Sequence, residues 1–512
     1  MSLAAVSDRV QNLARFCAAI DGIRVIDNPA EVRLKSRDFF WYSPLLKETL
    51  GDKSADLVVC PRDEADVIRV ARAAARFHVP VTPRGGGTGN YGQAVPLDGG
   101  VVLDMIGLDR VEWVKPGRVR VQAGRKLVDI DDVTRGEGWE LRMFPSTKRS
   151  ATIGGFVAGG SGGVGSITYG GLRERGNLLA ARIVTLEDEP RIIELRNDEA
   201  LNVNHAWGTT GIISALEMPL APAWPWLDIV VTAADFATVV RIGHRAALAD
   251  GIVKKLLTPL AWPIPAYFRH FKSEFPAGRD CLIAMIAEPS LGPFEALVEA
   301  EGGEINYCAP TAEGPGARPL YECAWNRTTL HALKVDRSIT YLQARYPADK
   351  LEETVAEIAA LFPEELMLHL EFQRGGGRVT AGSLPLIRYT TRQRLEEIID
   401  AHEAHGVMIA NPHVSTLEDS SRYKRADADQ LGFKREVDPY GLLNPGKMRS
   451  FVPVSGDSPS PPFRGERDRK LVGRCRSLTS RRGKSRRRRP SRRGRSSASA
   501  MSARPTRTAR SH

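Results

Sequence analysis

The sequence predicts an α+β fold with two main parts: a two-subdomain domain at residues 50–222 and an α+β domain with an antiparallel sheet at residues 223–410. A strand–helix–strand pattern at residues 57–82 leads directly into a glycine-rich stretch, and apolar residues alternate as in strands at residues 111–124. Beyond residue 226, helical and strand-like segments alternate. These observations predict helices packed on sheets throughout.

Length and charge narrow the class of protein. A chain of 512 residues exceeds what one hydrophobic core usually supports. The net charge of +11 arises at the C-terminus, because residues 451–512 hold 19 Lys and Arg against 3 Asp and Glu, which leaves 53 against 58 in residues 1–450. The body is therefore mildly acidic, which does not favour a nucleic-acid-binding surface.

The elements follow in order along the first domain, after a helical lead-in at residues 1–49. Apolar runs predict strands, and a run with apolar residues three and four apart predicts a helix after Pro61. A glycine at the end of Lys126–Gly138 closes a second helix. The predicted strands are Leu57–Cys60, Val79–Thr82, Gly100–Asp104, 111–114, Arg118–Gly124 and Leu179–Leu186, with a further apolar segment at Gly211–Met218.

Two glycine-rich stretches, Pro83–Gly92 and Thr152–Gly165, stand out. Glycine lets the backbone turn and lets its N–H groups approach phosphate oxygens, so we interpret the two stretches as one phosphate cradle. Each contains a G-x-G-x-x-G match, but the residues after Gly92 and after Gly165 break helices. An NAD-type domain needs a helix there, so the sequence predicts a cradle built from loops.

Six segments together carry a family resemblance. They occur in one order as Pro83–Gly89, Gly99–Asp104, Val121–Gly124, Ala151–Ala158, Tyr169–Gly171 and Trp207–Ser214, and Val437–Lys447 resembles the closing motif of the same family. The chain resembles the p-cresol methylhydroxylase and vanillyl-alcohol oxidase superfamily, with its PCMH-type FAD-binding domain. The D-lactate dehydrogenase and glycolate oxidase branch is the nearest in pattern.

The resemblance implies FAD as cofactor, a PCMH-type FAD-binding domain at residues 50–222, a substrate cap at residues 223–410 and a return to the FAD domain at residues 411–450. It implies that the first glycine stretch wraps the pyrophosphate and that the second passes beside the flavin. The implied cofactor-binding residues are Arg84, Gly85, Gly86, Gly87, Thr88, Gly89, Asn90, Pro145, Ser146, Thr152, Ile153, Gly154, Gly155, Ser161, Gly162, Tyr169, Gly211, Ile212, Ile213 and Lys447.

Covalent attachment and metal binding can be judged from residue types. Residues 84–96 contain neither histidine nor cysteine, so non-covalent FAD is expected, while attachment from the cap stays open. Relatives in the lactate dehydrogenase branch that bind a divalent metal carry two histidine motifs, and this sequence has neither. Asn411-Pro-His413-Val stands where one of them would fall, and we predict no metal.

Candidate catalytic residues lie in the cap. A flavin accepts hydride while the protein accepts the hydroxyl proton, and a carboxylate substrate calls for an arginine. We predict Arg327 or Arg337 as the carboxylate clamp and His331 as the base, because Arg327 and His331 share a helix face. A solvated face with an ordinary ion pair is the alternative. His413 is a second candidate near the flavin.

Other polar residues have open interpretations. His369 and Glu371 share one side of a predicted strand and either line the active site or, as we favour, form an ordinary polar face. His402 and His405 are expected at a helix C-terminus, where positive charge is favourable. Lys447 either reaches the flavin's pyrimidine oxygens or caps the domain junction.

The tail at residues 451–512 is rich in Ser, Pro and Arg and is predicted to be disordered. It is either a nucleic-acid arm or translation beyond the natural end; we favour the second and expect no nucleic-acid contact. Six cysteines without metal spacing are expected to be free thiols. No apolar run reaches the roughly 20 residues of a membrane span and no export signal is visible, so we expect a cytoplasmic protein.

The sequence thus predicts an FAD-linked oxidoreductase that acts on the CH–OH group of a small molecule, an α-hydroxy acid such as lactate or glycolate, and passes electrons to an unidentified acceptor. The alternatives are a flavin oxidase of an alcohol, phenol or sugar and, in another class, a nucleic-acid-binding protein that uses its basic tail.

Overall fold

The computed structural model describes residues 3–160, 162–314, 316–418 and 428–453. These residues all fall within one compact unit, Met1–Phe463. Ser161 and the tail from residue 454 onward lie outside the described residues, and the predicted domain boundaries stay a prediction. No helix in the described ranges is long and apolar enough to cross a membrane.

The first sheet places the first glycine stretch. Its strands run in the order β1-β2-β4-β3, with β1 antiparallel to β2 and the other neighbours parallel. The predicted helical lead-in therefore also contains a strand, β1. Strand β3 ends at Arg84 and delivers the chain into the glycine stretch. The elements are α1 (Leu3–Ala19), β1 (Arg24–Ile26), α2 (Pro29–Lys35), α3 (Pro44–Leu50), β2 (Leu57–Cys60), α4 (Glu64–Phe77), β3 (Val81–Arg84) and β4 (Val101–Asp104).

A second, antiparallel sheet carries the second glycine stretch. Its strands run in the order β5-β6-β10-β8-β9, and β7 pairs with the far end of β10. Together the two sheets form the two predicted subdomains. The elements are β5 (Val111–Lys115), β6 (Arg118–Gln122), α5 (Leu127–Arg135), β7 (Trp139–Leu141), α6 (Ile153–Gly159), α7 (Ser166–Tyr169), β8 (Ala180–Val184), β9 (Ile192–Arg196) and β10 (Ile212–Pro222).

Helix α6 corrects one expectation. The prediction that the cradle is built from loops alone was wrong for the second stretch, which forms α6 and, after Gly165, the single turn of α7. Thr152 caps α6 by accepting a hydrogen bond from the Gly155 N–H at 3.2 Å. Phe156 and Val157 give the helix a buried face, and this packing outweighs the low helix propensity of glycine.

The cap is built from antiparallel sheets, as predicted. The strand orders are β12-β13-β11-β14, β15-β20-β17 and β18-β19-β16-β21, and helices α8 and α9 pack on the first of these sheets. The elements are β11 (Trp226–Thr232), α8 (Phe236–Leu248), β12 (Lys254–Leu260), β13 (Cys281–Ala287), α9 (Leu291–Ala300), β14 (Glu304–Pro310), α10 (Asn326–Leu333), β15 (Ile339–Tyr341), β16 (Ala344–Arg345), α11 (Leu351–Leu361), β17 (Leu366–Met367), β18 (Leu370–Gly375), β19 (Arg378–Ser383), β20 (Leu386–Arg388), α12 (Arg392–Ala404), β21 (Met408–Ile409) and α13 (Ala428–Val437).

A buried ion pair joins the cap to the second sheet. Lys255 Nζ in β12 lies 2.5 Å from Glu140 Oε1 in β7, and the Trp226 indole N–H also donates to Glu140. The Gly165 N–H donates to the Lys255 carbonyl at 2.7 Å. These bonds fix the cap beside the second glycine stretch.

Candidate active site

Two adjoining cavities lie along the glycine stretches. The first, which we call the cradle cavity, has a volume of about 100 Å³ and lies between both stretches. The second, the cap cavity, has a volume of about 250 Å³ and lies between the second stretch and the cap strands. Both are lined by Thr88, Gly89, Gln93, Gly155 and Gly159, so they form one continuous site.

Most of the predicted cofactor residues line these cavities. The cradle cavity is lined by Arg84, Gly85, Gly86, Gly87, Thr88, Gly89, Thr152, Gly154, Gly155, Gly211 and Ile213. The cap cavity is lined by Thr88, Gly89, Asn90, Pro145, Ser146, Gly155 and Gly162. Ile153, Tyr169, Ile212 and Lys447 line neither cavity: Ile153, Ile212 and Lys447 are fully buried, and Tyr169 packs against Arg142. Their roles, and that of Ser161, stay predictions.

The glycines let the two stretches pack against each other. A Cβ atom at Gly85 would lie 2.0 Å from Thr152 Oγ1, and one at Gly86 would lie 2.1 Å from the Ser150 carbonyl oxygen. Gly87 adopts a φ of +64°, which side-chain-bearing residues rarely adopt. Close packing therefore explains part of the glycine content, and the same packing leaves main chain to line the cradle cavity.

Arg84 and Asp38 are the charged residues that line the cradle cavity, and the buried Lys447 interacts electrostatically with Asp38. Arg84 donates to the Arg37 carbonyl at 2.6 Å, and its buried Nε has no partner among the described residues. The buried Lys447 Nζ likewise has no hydrogen-bond partner in the described ranges. Burial raises the pKa of Asp38, which lines the cavity, to about 6 and lowers the pKa of Lys447 to about 7.

The cap cavity has a different chemistry. Arg345 is the one Lys or Arg among its described lining residues, and no described Asp or Glu lines it. No hydrogen bond or ion pair joins the Arg345 guanidinium to another residue in the described ranges, and Arg345 is exposed to solvent. The other lining side chains include the polar residues Asn326, Gln343, Gln373 and Ser383, the aromatic residues Tyr91, Phe156 and Trp325, and His205.

Arg345, His205 and Gln373 were missed as site residues in the sequence. Arg345 follows Tyr341 and Gln343 at alternate positions, which is the signal that could have found it. His205 and Gln373 lie far from Arg345 in sequence and are brought to the cavity by tertiary packing, so no local pattern marks them.

A buried carboxylate supports the wall of the cap cavity. Glu371 Oε1 accepts the Trp325 backbone N–H at 2.6 Å and lies 2.7 Å from His369 Nε2, while Oε2 accepts from Thr258 at 2.7 Å. Trp325 adopts a φ of 50°, an unusual value for a large side chain. His369 and Glu371 are fully buried and line neither cavity, and their two interpretations stay predictions.

The predicted catalytic residues lie outside both cavity linings. Arg327 pairs with Glu322 at 3.2 Å, and Arg337 is exposed in the loop after α10. His331 shares α10 with Arg327 as predicted, and it is buried against Phe268 with ring centroids 5.3 Å apart. Burial lowers the pKa of His331 to about 4.

His413 is also buried. Its Nδ1 lies 2.8 Å from Ser43 Oγ, and burial lowers its pKa to about 4. Its ring packs against Tyr341, whose hydroxyl accepts a hydrogen bond from Asn90 of the first glycine stretch at 2.6 Å. The structure thus places His413 one residue behind the site. The catalytic roles of Arg327, Arg337, His331 and His413 stay predictions.

Two further predictions concern histidine and cysteine. His402 lies in the last turn of α12 and His405 caps it, as expected. Cys17, Cys60, Cys281, Cys308 and Cys323 are free thiols. No group of metal-ligating side chains comes together in the described part of the chain.

Comparison with known proteins shows the family of this chain. Residues 55–192 match a family described as "FAD binding domain". The chain is 31% identical to a D-lactate dehydrogenase of Archaeoglobus fulgidus over 420 residues, which cover 77% of this chain and 91% of that protein. The chain belongs to the FAD-linked oxidoreductases with a PCMH-type FAD-binding domain. Its cofactor is therefore FAD, and it acts on CH–OH groups.

One further relative matches part of this flavoprotein in sequence, and one solved structure resembles it in fold. The glycolate oxidase subunit GlcD of Escherichia coli is 28% identical over 208 residues, which cover 38% of this chain and 41% of that protein. A solved alkyldihydroxyacetonephosphate synthase aligns with a TM-score of 0.63 at 16% identity and covers 83% of this chain and 82% of that chain. The similarity to the alkyldihydroxyacetonephosphate synthase shows the fold alone.

Proposed function

We propose that this flavoprotein oxidises a small α-hydroxy acid, of the lactate or glycolate kind, to the 2-oxo acid. The observation that carries the proposal is Arg345, a cation with no ion-pair partner among the described residues, in a cavity that has no carboxylate among its described lining residues and adjoins the cofactor cradle. A guanidinium binds a carboxylate through two parallel hydrogen bonds. The names of the relatives, D-lactate dehydrogenase and glycolate oxidase subunit, support the same substrate class.

The chain's residues fit FAD. The main chain around Gly85 to Gly89, with Arg84, would hold the pyrophosphate, because backbone N–H groups and a cation suit phosphate oxygens. The buried, partnerless Trp325 Nε1 and Asn326 Oδ1 offer a donor and an acceptor on the cap side. When bound, FAD supplies the hydride acceptor.

The protein's own part in the reaction is to bind and orient the acid. Arg345 would hold the carboxylate, and the amides of Gln343 and Gln373 would bind the hydroxyl or the second carboxylate oxygen. Gln343 is itself fixed, because the Tyr91 hydroxyl donates to its Oε1. Tyr91 follows the first glycine stretch's Asn90, so this bond links the cofactor loop to the strand that carries Arg345.

The test compares D-lactate with its neutral amide. Anaerobic bleaching of the flavin absorbance by D-lactate or glycolate is expected for the wild type. In Arg345→Met, kcat/KM for D-lactate should fall by about 100-fold, because the carboxylate loses its charged partner. The rate with lactamide should hardly change, because the amide carries no charge for Arg345 to bind.

Two outcomes would contradict the proposal. One is a wild type that no α-hydroxy acid bleaches. The other is an Arg345→Met variant that loses lactate and lactamide oxidation to the same extent, since Arg345 would then not recognise the charge. Arg392→Met serves as the control, because Arg392 is exposed on α12 and lines neither cavity.

A second candidate is an aromatic alcohol. Tyr91, Phe156 and Trp325 line the cap cavity and would favour an aromatic ring. Bleaching by a benzylic alcohol in preference to D-lactate, unchanged in Arg345→Met, would establish this candidate in place of the acid.

A further inference from the structure

One ionisable residue of the cap cavity has no role in the reaction described above. His205 lies in the loop before β10, lines the cavity and is half-buried. Its backbone N–H donates to the Val157 carbonyl of α6 at 2.9 Å. Its ring stacks on Trp207, with centroids 6.0 Å apart, and Trp207 stacks on Tyr91 at 5.7 Å. Three stacked rings therefore hold the imidazole at the cavity wall.

The backbone at His205 is also unusual. Its φ is 54°, and that of Trp207 is also 54°, a conformation that non-glycine residues rarely adopt. Such conformations cost about 1–3 kcal/mol each and are found most often at functional sites. The loop thus holds this imidazole at the cavity in a conformation that its sequence alone does not favour.

The other ionisable groups of the cavity cannot take up a proton near neutral pH. Among the described lining residues these groups are Arg345 and Tyr91. Arginine stays protonated in proteins. Burial raises the pKa of Tyr91, and its hydroxyl already donates to Gln343. Arg173, whose guanidinium donates to the Asn204 carbonyl at 3.3 Å, is a further cation beside the His205 loop and is no acceptor either.

We propose that His205 is the catalytic residue that accepts the substrate's hydroxyl proton. This inference rests on the proposed oxidation of an α-hydroxy acid. The O–H bond breaks and its proton moves to an imidazole nitrogen, while the C–O bond becomes C=O and the hydride leaves carbon for FAD, the oxidant. The imidazolium then returns the proton to solvent, and the 2-oxo acid departs.

The first test replaces His205 with asparagine, which tolerates positive φ and carries no base. Reduction of the flavin by D-lactate, followed anaerobically by stopped flow, should slow by 10² to 10⁴-fold, with the lactate dissociation constant little changed. His78→Asn is the matched control, because His78 also has a φ of 50° and lines neither cavity. Equal reduction rates in wild type and His205→Asn would overturn the proposal.

Chemical rescue distinguishes a role of His205 as the base from a role in packing. His205→Gly keeps the positive φ and leaves room for an imidazole molecule. Added imidazole should restore the reduction rate of His205→Gly in proportion to the concentration of its neutral form, and should leave His205→Asn unchanged. A slow His205→Gly variant that imidazole does not accelerate would show that His205 acts by packing alone, and would overturn the proposal.

Proton NMR tests, independently of turnover, whether His205 lies close to the bound FAD. The C2–H proton resonance of His205, assigned by its loss in His205→Asn, should shift when FAD is added to the apoprotein, whereas that of His78 should not. An unshifted His205 resonance would overturn the proposal.

Acid precipitation gives a further check. The proposal would be overturned if flavin precipitated with acid-denatured wild type but was released from His205→Asn, because His205 would then be the attachment point. A wild type that D-lactate and glycolate do not bleach would instead contradict the proposed function.

Discussion

The cradle cavity and the cap cavity share Thr88, Gly89, Gln93, Gly155 and Gly159, but the rest of their linings differs. More than half of the residues that line the cradle cavity come from the two glycine stretches. The cap cavity is lined by side chains from α10, β16, β18 and β19 and from the loop that carries His205. A Cβ added at Gly85, Gly86 or Gly154 of the cradle would lie within 3 Å of another atom, whereas side chains make up much of the cap cavity. We therefore expect cofactor binding and substrate choice to respond to different substitutions.

Gly86→Ala is the strongest test of that separation. The new Cβ would lie 2.1 Å from the Ser150 carbonyl oxygen, and backbone on both sides would have to move. Overpacking of this kind costs about 3 kcal/mol, and displacement of the first glycine stretch should also weaken FAD binding. We expect a lower urea midpoint, and flavin absorbance lost on gel filtration.

Gly292→Ala is the control for this substitution. Gly292 lies exposed in the first turn of α9 with nothing within 4 Å of its Cβ position, so alanine should be neutral or stabilise by up to about 1 kcal/mol. If Gly86→Ala retains flavin as the wild type does, the main chain of the cradle is more adaptable than the structure indicates, and the contrast between the two cavities fails.

The same difference explains what could be predicted from sequence. The cradle was predictable because its residues are adjacent in sequence and because glycine is needed for local reasons, as at Gly87 with its positive φ. Even so, α6 was missed, because glycine propensity argued against a helix that tertiary burial of Phe156 and the Thr152 cap stabilise. Local pattern gave the position of the cradle but not its secondary structure.

The cap cavity could not be predicted in the same way. Arg327 and His331 were predicted from residue type alone, as an arginine near a histidine. In the structure Arg327 pairs with Glu322, and His331 is buried against Phe268. Arg345 reaches the cavity instead, because strand pairing of β16 with β19 and β21 sets which side chains meet there. Strand pairing between distant segments has no local signal.

Acid should destabilise the fold through the buried His413, which contacts Ser43 and Tyr341. Burial lowers the pKa of His413 from 6.5 to about 4, so between these values the unfolded chain binds a proton that the folded protein does not. Stability is therefore lost as pH falls through this window, by about 3 kcal/mol for this residue. Asp38 behaves oppositely, since its raised pKa means that acid favours the folded cradle.

The measurement is urea unfolding of the apoprotein at pH 7 and pH 4.5. His413→Gln, which keeps a polar group near Ser43, should lose less stability on acidification than the wild type does. An identical acid loss in His413→Gln and wild type would show that His413 is protonated freely in the folded protein.

The smallest expected effect concerns the support behind the cap cavity. Glu371→Gln keeps the shape of the side chain, so its oxygen can still accept the Trp325 N–H and its amide can donate to Thr258. The bond to Thr258 then runs in the opposite direction, and the bonds to the Trp325 N–H and to His369 weaken, because a bond to a carboxylate is about twice as strong as a neutral one. We expect the free energy of unfolding to fall by about 1 kcal/mol. The KM for the hydroxy acid should rise because Trp325 is held less firmly, while flavin content stays that of the wild type.

Glu353→Gln, on the exposed side of α11, is the control and should change neither the free energy of unfolding nor the KM. Loss of flavin in Glu371→Gln would mean that the cap network also builds the cradle, and the two cavities would then have to be treated as one.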